Sequence, residues 1–304
     1  MIRNSFRTTT SERTRLTGNV FTVISMLLWA TGFPVIDQLL HDWEPLLLVP
    51  IRLGLAGLIL ALFQPLMRTA YDWHTLPWLR VLWIGGAGLG GSALCLVWSQ
   101  QYADPVTIAV LATTIPLVSA IMGALAGEER LSLRLLLAIA FAMAGGILTS
   151  LEFSGQTVGF RGGEVLALLS VVLWTWYSRA SVAQLAQIPA YPKAVVTLLA
   201  GALVLLPFVI GGAQSGTLAL RYALTPYHLG LLAWMAIASV GLSMVFWLAG
   251  AKHLGVTIAS MHQNAVPFYV LLFALLAGAS VQVAQVVGAL LVVYGAVLAQ
   301  LPSR

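Results

Sequence analysis

His262, Gln263 and Asn264 form the most polar triplet inside any apolar stretch of this chain, and Arg52 lies within another, the one Lys or Arg not placed at an inner or outer end. An imidazole beside two amides can hold the ammonium and carboxylate of a zwitterion or work a gate, because ionisable and polar groups in apolar spans mark candidate functional sites. A lone histidine of this kind equally serves as a hydrogen-bonded structural residue. The planar guanidinium of Arg52 suits a carboxylate ligand. It also suits a structural clamp, with Asp37, near the outer end of the first stretch, as partner. Catalysis is not expected: HExxH, GxSxG and paired acids within the stretches are missing, which leaves His262 without a catalytic companion. The single cysteine, Cys95, excludes an internal disulfide and a cysteine-based metal cluster. No metal or cofactor is expected.

Polar and aromatic residues recur at helical spacing through the same stretches. Ser170, Trp174, Tyr177 and Ser181 fall on one helical face, as do Thr22, Ser25, Trp29 and Gly32. Further stripes are Ser92, Cys95 and Ser99; Thr107 and Thr114; Ser239, Ser243 and Trp247; and Thr257, Ser260 and Asn264. In lipid such faces turn inward, so Trp29, Ser92, Trp98, Ser99, Thr114, Trp174, Tyr177, Ser243, Trp247, His262, Gln263 and Asn264 are the expected lining of a central substrate cavity. For any single Ser or Thr the alternative is ordinary helix packing. Pro116 and Pro267 each remove a backbone donor and act either as hinge or ammonium sites or as passive kinks. The glycine run at 85–91 and the Gly123/Gly127 pair are read as devices for close packing or helix flexibility.

The elements that must position these residues follow from composition. Hydrophobic residues make up 60% of the chain and charged ones 8%, against about 25% charged in a soluble domain. Mean hydropathy is +0.93. A bilayer core of about 30 Å takes about 20 helical residues. Suitable stretches lie near 17–40, 45–67, 77–101, 104–126, 132–151, 163–185, 193–211, 227–252, 255–278 and 280–301. Two motifs occur twice. Val106-Thr107-Ile108-Ala109 returns as Val256-Thr257-Ile258-Ala259, and Gly18-x-Val20 with Ser25-x-x-Leu28-Trp29 returns as Gly163-x-Val165 with Ser170-x-x-Leu173-Trp174. Five stretches per copy is an odd number, so the second copy enters the membrane in the opposite sense. The expected fold is an all-α polytopic membrane protein of ten transmembrane helices, two five-helix inverted repeats around a central cavity. A basic segment at 1–16 precedes repeats at 17–151 and 163–301. The fifth and tenth spans lack polar stripes through their length and should be peripheral.

The net charge of +5 follows the side of the membrane rather than a nucleic-acid patch. With the N-terminus inside, every Lys and Arg except Arg52, Arg161 and Arg221 lies at an inner end or inner loop, which the positive-inside rule favours. Both termini are therefore expected in the cytoplasm of a bacterium, with the chain in its inner membrane.

Leu28-Trp29-Ala30-Thr31-Gly32-Phe33, Arg52, and Pro116 followed by Gly127-Glu128-Glu129-Arg130-Leu131-Ser132 resemble the EamA branch of the drug/metabolite transporter superfamily. The resemblance covers the chain after about residue 16, and within the family it looks most like the YddG-type exporters of aromatic amino acids and related metabolites. It implies a basket-shaped bundle, alternating access and export of small metabolites. The second copy departs from the family pattern, with Gly278-Ala279-Ser280 in place of Gly-Glu and Thr197 in place of Arg. The expected partners are an amino-acid substrate and the bilayer, with no nucleic acid. A multidrug or nucleobase exporter is the alternative within the superfamily. A channel or an intramembrane enzyme would be a different class, and no filter or charged ring supports the former.

Overall fold

The computed structural model describes residues 2–67, 71–102, 108, 111–154, 163–266, 268, 269, 272, 273 and 283–301. All of its regular structure is helical. In the first half, α1 (Ile2–Ala30) breaks at Thr31 into α2 (Gly32–Leu40), and α3 (Pro45–Phe63) runs back. Then α4 (Trp78–Leu82), a π-helical segment (Trp83–Gly90) and α5 (Gly91–Tyr102) form one continuous rod, followed by α6 (Ile115–Leu125) and α7 (Leu133–Ser154). The second half repeats this plan with α8 (Glu164–Ala183), α9 (Ala190–Gln214), α10 (Pro226–Trp234), a second π segment (Met235–Leu242), α11 (Ser243–Leu254), α12 (Val256–Met261) and α13 (Val283–Gln300). A 3₁₀ turn, His262–Ala265, continues α12. Among the described residues six helices are long and apolar enough to cross a membrane, and three apolar ones are shorter, at Ile115–Leu125, Leu133–Leu148 and Val286–Gln300.

Both π segments are eight residues long and both lead into a twelve-residue helix. A π-bulge widens the helix locally and is found mostly at functional sites. The first is rich in glycine, and the reason is its packing against α9. A Cβ on Gly85 would stand 2.7 Å from the Thr197 carbonyl oxygen, and one on Gly90 would stand 2.9 Å from that of Gly201.

The packing pairs are α1 with α11, α5 with α8, α3 with α9, α6 with α12, and α7 with α13. Exchanging the two halves maps this set of pairs onto itself. The first π segment rests on α9 and the second on α3, which obey the same exchange. The core is largest where α3, α5, α8, α9 and α11 meet, around Tyr177, Trp247, Leu198 and Leu248. A smaller cluster, with Ala138, Ala142 and Ala296, sits where α7 and α13 touch. There a Cβ on Gly145 would meet the Gly288 carbonyl oxygen at 2.3 Å and one on Gly295 the Ala138 oxygen at 2.5 Å. Backbones this close associate through van der Waals packing of small residues. The other sides of both helices carry exposed apolar residues such as Leu137, Leu290 and Val293.

Pro116 does not interrupt a continuous helix. It stands in the first turn of α6, after a turn at Thr113–Thr114, where a missing N–H costs nothing because first-turn donors have no helical acceptor. Pro267 and Thr107 lie outside the described residues.

Candidate functional site

Trp174 and Tyr177, on one face of α8, meet Trp247 of α11. Trp174 lies 5.6 Å from the Tyr177 ring and 5.8 Å from the Trp247 ring. The polar tips of the two inner rings are satisfied, as buried aromatic O–H and N–H groups require. The Tyr177 hydroxyl lies 3.0 Å from Thr197 Oγ1 and donates to Met244 Sδ at 3.3 Å, and Trp247 Nε1 donates to Ser178 Oγ at 3.1 Å. Tyr177 and Trp247 are buried, while Trp174 is half-buried.

The remaining residues of the expected cavity are placed in three ways. Ser99 and Thr114 donate to carbonyls three residues back, Leu96 at 2.7 Å and Leu111 at 2.6 Å, and Ser243 bonds to Ser239 of its own rod. Ser92 belongs to a helix contact, its carbonyl accepting from Ser170 Oγ at 2.9 Å. Trp29 packs edge-on against Phe33 at 5.5 Å and, like Trp98, keeps over a third of its surface exposed.

The polar triplet does not act as a unit. His262 Nδ1 lies 3.3 Å from the Ile258 carbonyl of its own helix, and Asn264 Nδ2 donates to the Thr113 carbonyl at 3.3 Å, beside Gly146 of α7. Gln263 alone shares the helical face of Val256, Ala259 and Val266, which enter the main core. Its Oε1 is buried with no partner among the described residues.

Below this layer, where α6, α8 and α12 end or begin, lies a dense polar cluster. Arg179 of α8 donates through Nη1 to Glu129 Oε1 at 2.9 Å and to the Ser119 carbonyl at 3.0 Å, and through Nη2 to Glu128. Thr257 Oγ1 donates to the Glu129 carboxylate at 2.8 Å, and the Ser119 hydroxyl lies 2.9 Å from Thr257 Oγ1. Two carboxylates just past the C-terminus of α6 oppose its dipole, and the guanidinium offsets this. Gly123 and Gly127 serve this cluster rather than a helix seam. A Cβ on Gly123 would meet the Arg179 guanidinium at 2.7 Å, and Gly127 ends α6 with a φ of 72°, so that the Glu128 and Glu129 N–H groups return to the Gly123 carbonyl.

With this geometry, the sequence pattern of the EamA-like transporter family matches residues 16–151 and again residues 161–301. The chain belongs to the EamA-like transporter family. An uncharacterised transporter of Bacillus subtilis, YyaM, is 25% identical to this EamA-like transporter over 220 residues, 71% of each chain. YedA, an uncharacterised inner membrane transporter of Escherichia coli K12, is 27% identical over 209 residues, 64% of this chain and 65% of YedA. A crystal structure superposes with a TM-score of 0.79 at 23% identity, covering 94% of this chain and 97% of that one, which establishes the shared fold. The chain is a multi-pass membrane transporter.

Two features of this EamA-like transporter escape sequence reading. Arg179 looks like one more inner-side charge, and only the Gly127-Glu128-Glu129 motif hints at a partner for it. Lys193 looks like a loop charge at a span end, yet it lies inside α9, 2% exposed, with Nζ donating to the Ser181 carbonyl at 2.8 Å. It caps the last turn of α8. Arg52, on α3, has a buried Nε without a partner among the described residues. The side chain of Asp37, its expected partner, lies outside the described residues.

Two cavities open away from the aromatic layer. One, of about 480 Å³, is apolar and lies between the end of α3, the first half of α9 and α4. The other, of about 410 Å³, is polar and lies among the middle of α1, the start of α7 and the ends of α11 and α13.

Proposed function

We propose that this transporter exports small amphiphilic metabolites, aromatic amino acids foremost, across a bacterial inner membrane by alternating access between two five-helix inverted repeats. The observation that carries the substrate reading is the Trp174, Tyr177 and Trp247 cluster at the meeting of α8 and α11. Flat rings suit another flat ring, each aromatic contact contributing about 0.5–1.5 kcal/mol beyond area burial. The unpartnered Gln263 Oε1 supplies an acceptor suited to an ammonium group, since a buried acceptor left unmade costs about 1–3 kcal/mol. Arg52 suits the carboxylate.

Alternating access is supported by the exchange symmetry of the helix pairs and by the Arg179 cluster, which ties Ser119 and Glu129 of the first half to Arg179 and Thr257 of the second. In this reading the cluster is an inner gate, closed here. Opening it separates α6 from α8 and α12 and admits cytoplasmic substrate to the aromatic layer. Glu164, the buried acid among the described residues, stands in the first turn of α8 and not at the aromatic layer, and in this reading substrate moves down its outward gradient.

The test is efflux from proteoliposomes loaded with a panel of radiolabelled amino acids. Phenylalanine, tyrosine and tryptophan should leave faster than glycine or aspartate in a protein-dependent manner. Equal leakage of all, or efflux of cationic drugs alone, would reject the substrate reading.

A further inference from the structure

The polar cavity of about 410 Å³ lies where the C-terminal end of α13 meets α1, α7 and α11. Three basic side chains from three helices converge on it: Arg15 of α1, Arg134 of α7 and His253 of α11. Among the described residues no carboxylate lines it.

The arrangement is fixed rather than loose. Arg15 Nη1 donates to the Gln300 carbonyl at 2.9 Å, and the Gln300 side chain is held by a reciprocal amide pair with Asn19, at 2.7 and 3.1 Å, and by the Ala296 carbonyl at 3.0 Å. That bond uses one of the five N–H donors of Arg15. The other donors have no protein partner among the described residues, so a phosphate oxygen can take them in the bidentate geometry a guanidinium favours.

Beside the cations the wall is apolar, with Leu254, Ile258 and Leu301. Depth matters as much as composition. Leu254 and Gln300 are the last residues of two membrane-crossing or apolar helices, which places the cavity at one end of the apolar bundle. A free phosphate would use only half of this lining. A glycerophospholipid uses both, and basic pockets between transmembrane helices are known headgroup sites.

We propose that this cavity binds the phosphate headgroup of an anionic phospholipid from the adjoining leaflet. The lipid would bridge α1 and α11 to the α7–α13 pair, adding to the bonds by which Arg15 and Asn19 of α1 already hold Gln300 of α13.

The experiment uses the full-length protein in phosphatidylcholine nanodiscs, with phosphatidylglycerol added in steps and retention read by native mass spectrometry. Phosphatidylglycerol should bind in preference to phosphatidylcholine, and Arg15→Gln and Arg134→Gln should each weaken it about fivefold, the fold-change for one basic group near a membrane surface. Arg80→Gln, at an exposed position on α4, should leave the preference unchanged. His253→Gln gives a third reading should an arginine variant not fold. Equal retention of the two lipids would overturn the proposal. So would a preference unaffected by all three cavity substitutions, which would assign it to diffuse surface charge. Inorganic phosphate raising the melting temperature as much as the lipid would show a free-anion site instead.

Discussion

Arg179→Gln removes the charge that holds α6, α8 and α12 together while keeping a polar side chain of similar reach. The side chain is 12% exposed and its partners differ: Glu129 is 25% exposed and Glu128 51%. The Glu128 contact is therefore worth about 0–1 kcal/mol, as for a surface pair. Charge-assisted bonds to the more buried Glu129 are worth about 1.5–3 kcal/mol. Taken together, the closed arrangement loses about 3 kcal/mol, which moves an open–closed equilibrium by about two decades. The assay uses a Cys95→Ser background with a reporter at Gln263→Cys, a buried position six residues beyond Thr257. A membrane-impermeant thiol reagent applied from the face bearing the termini should label the Arg179→Gln protein up to about 100-fold faster than the parent. If the variant melts within a few degrees of the parent and labels at the parent's rate, the cluster is a structural rivet and the gate lies elsewhere.

Further outcomes follow from the same geometry. Gly123→Ala drives a Cβ into the Arg179 guanidinium and Glu129, so it should accelerate labelling in the same direction as Arg179→Gln; slower labelling would contradict the gate. Trp174→Ala should weaken transport of aromatic amino acids by about 0.5–1.5 kcal/mol beyond lost area while sparing threonine, as read from initial efflux rates, and an equal loss for both would point to a folding effect. Lys193→Met removes a buried cation, whose desolvation is costly, together with its bond to the Ser181 carbonyl. Its melting temperature should hold or rise, and a large fall would show that the charge is needed. Arg52→Ala should lower yield and detergent stability; normal yield with loss of carboxylate-bearing substrates alone would make Arg52 a ligand.

Composition and hydropathy make the helical fold legible, because no soluble arrangement can clothe so apolar a chain. The break at Thr31 and the π segments are harder to read. The glycine run at 85–91 advertises close packing, but Met235–Leu242 has no such run and is recognisable only through its correspondence to Trp83–Gly90. The serine and threonine stripes mislead for a simple reason. A hydroxyl at Ser99, Thr114 or Ser243 can satisfy itself on a carbonyl three or four residues back, and that habit gives the same spacing as a cavity wall. The aromatic members Trp174, Tyr177 and Trp247 do converge, since large rings on matching helix faces must pack somewhere. Arg179 with Glu129 stayed hidden because fifty residues separate them and only tertiary packing closes that distance.

The central claim is alternating access for aromatic amino acids, and counterflow tests it most directly. Proteoliposomes preloaded with unlabelled tryptophan and diluted into a trace of labelled tryptophan should accumulate label transiently above the equilibrium level, because a carrier returns loaded faster than empty. A monotonic rise to equilibrium, unaffected by the tryptophan inside, would contradict it and indicate a channel or a different substrate.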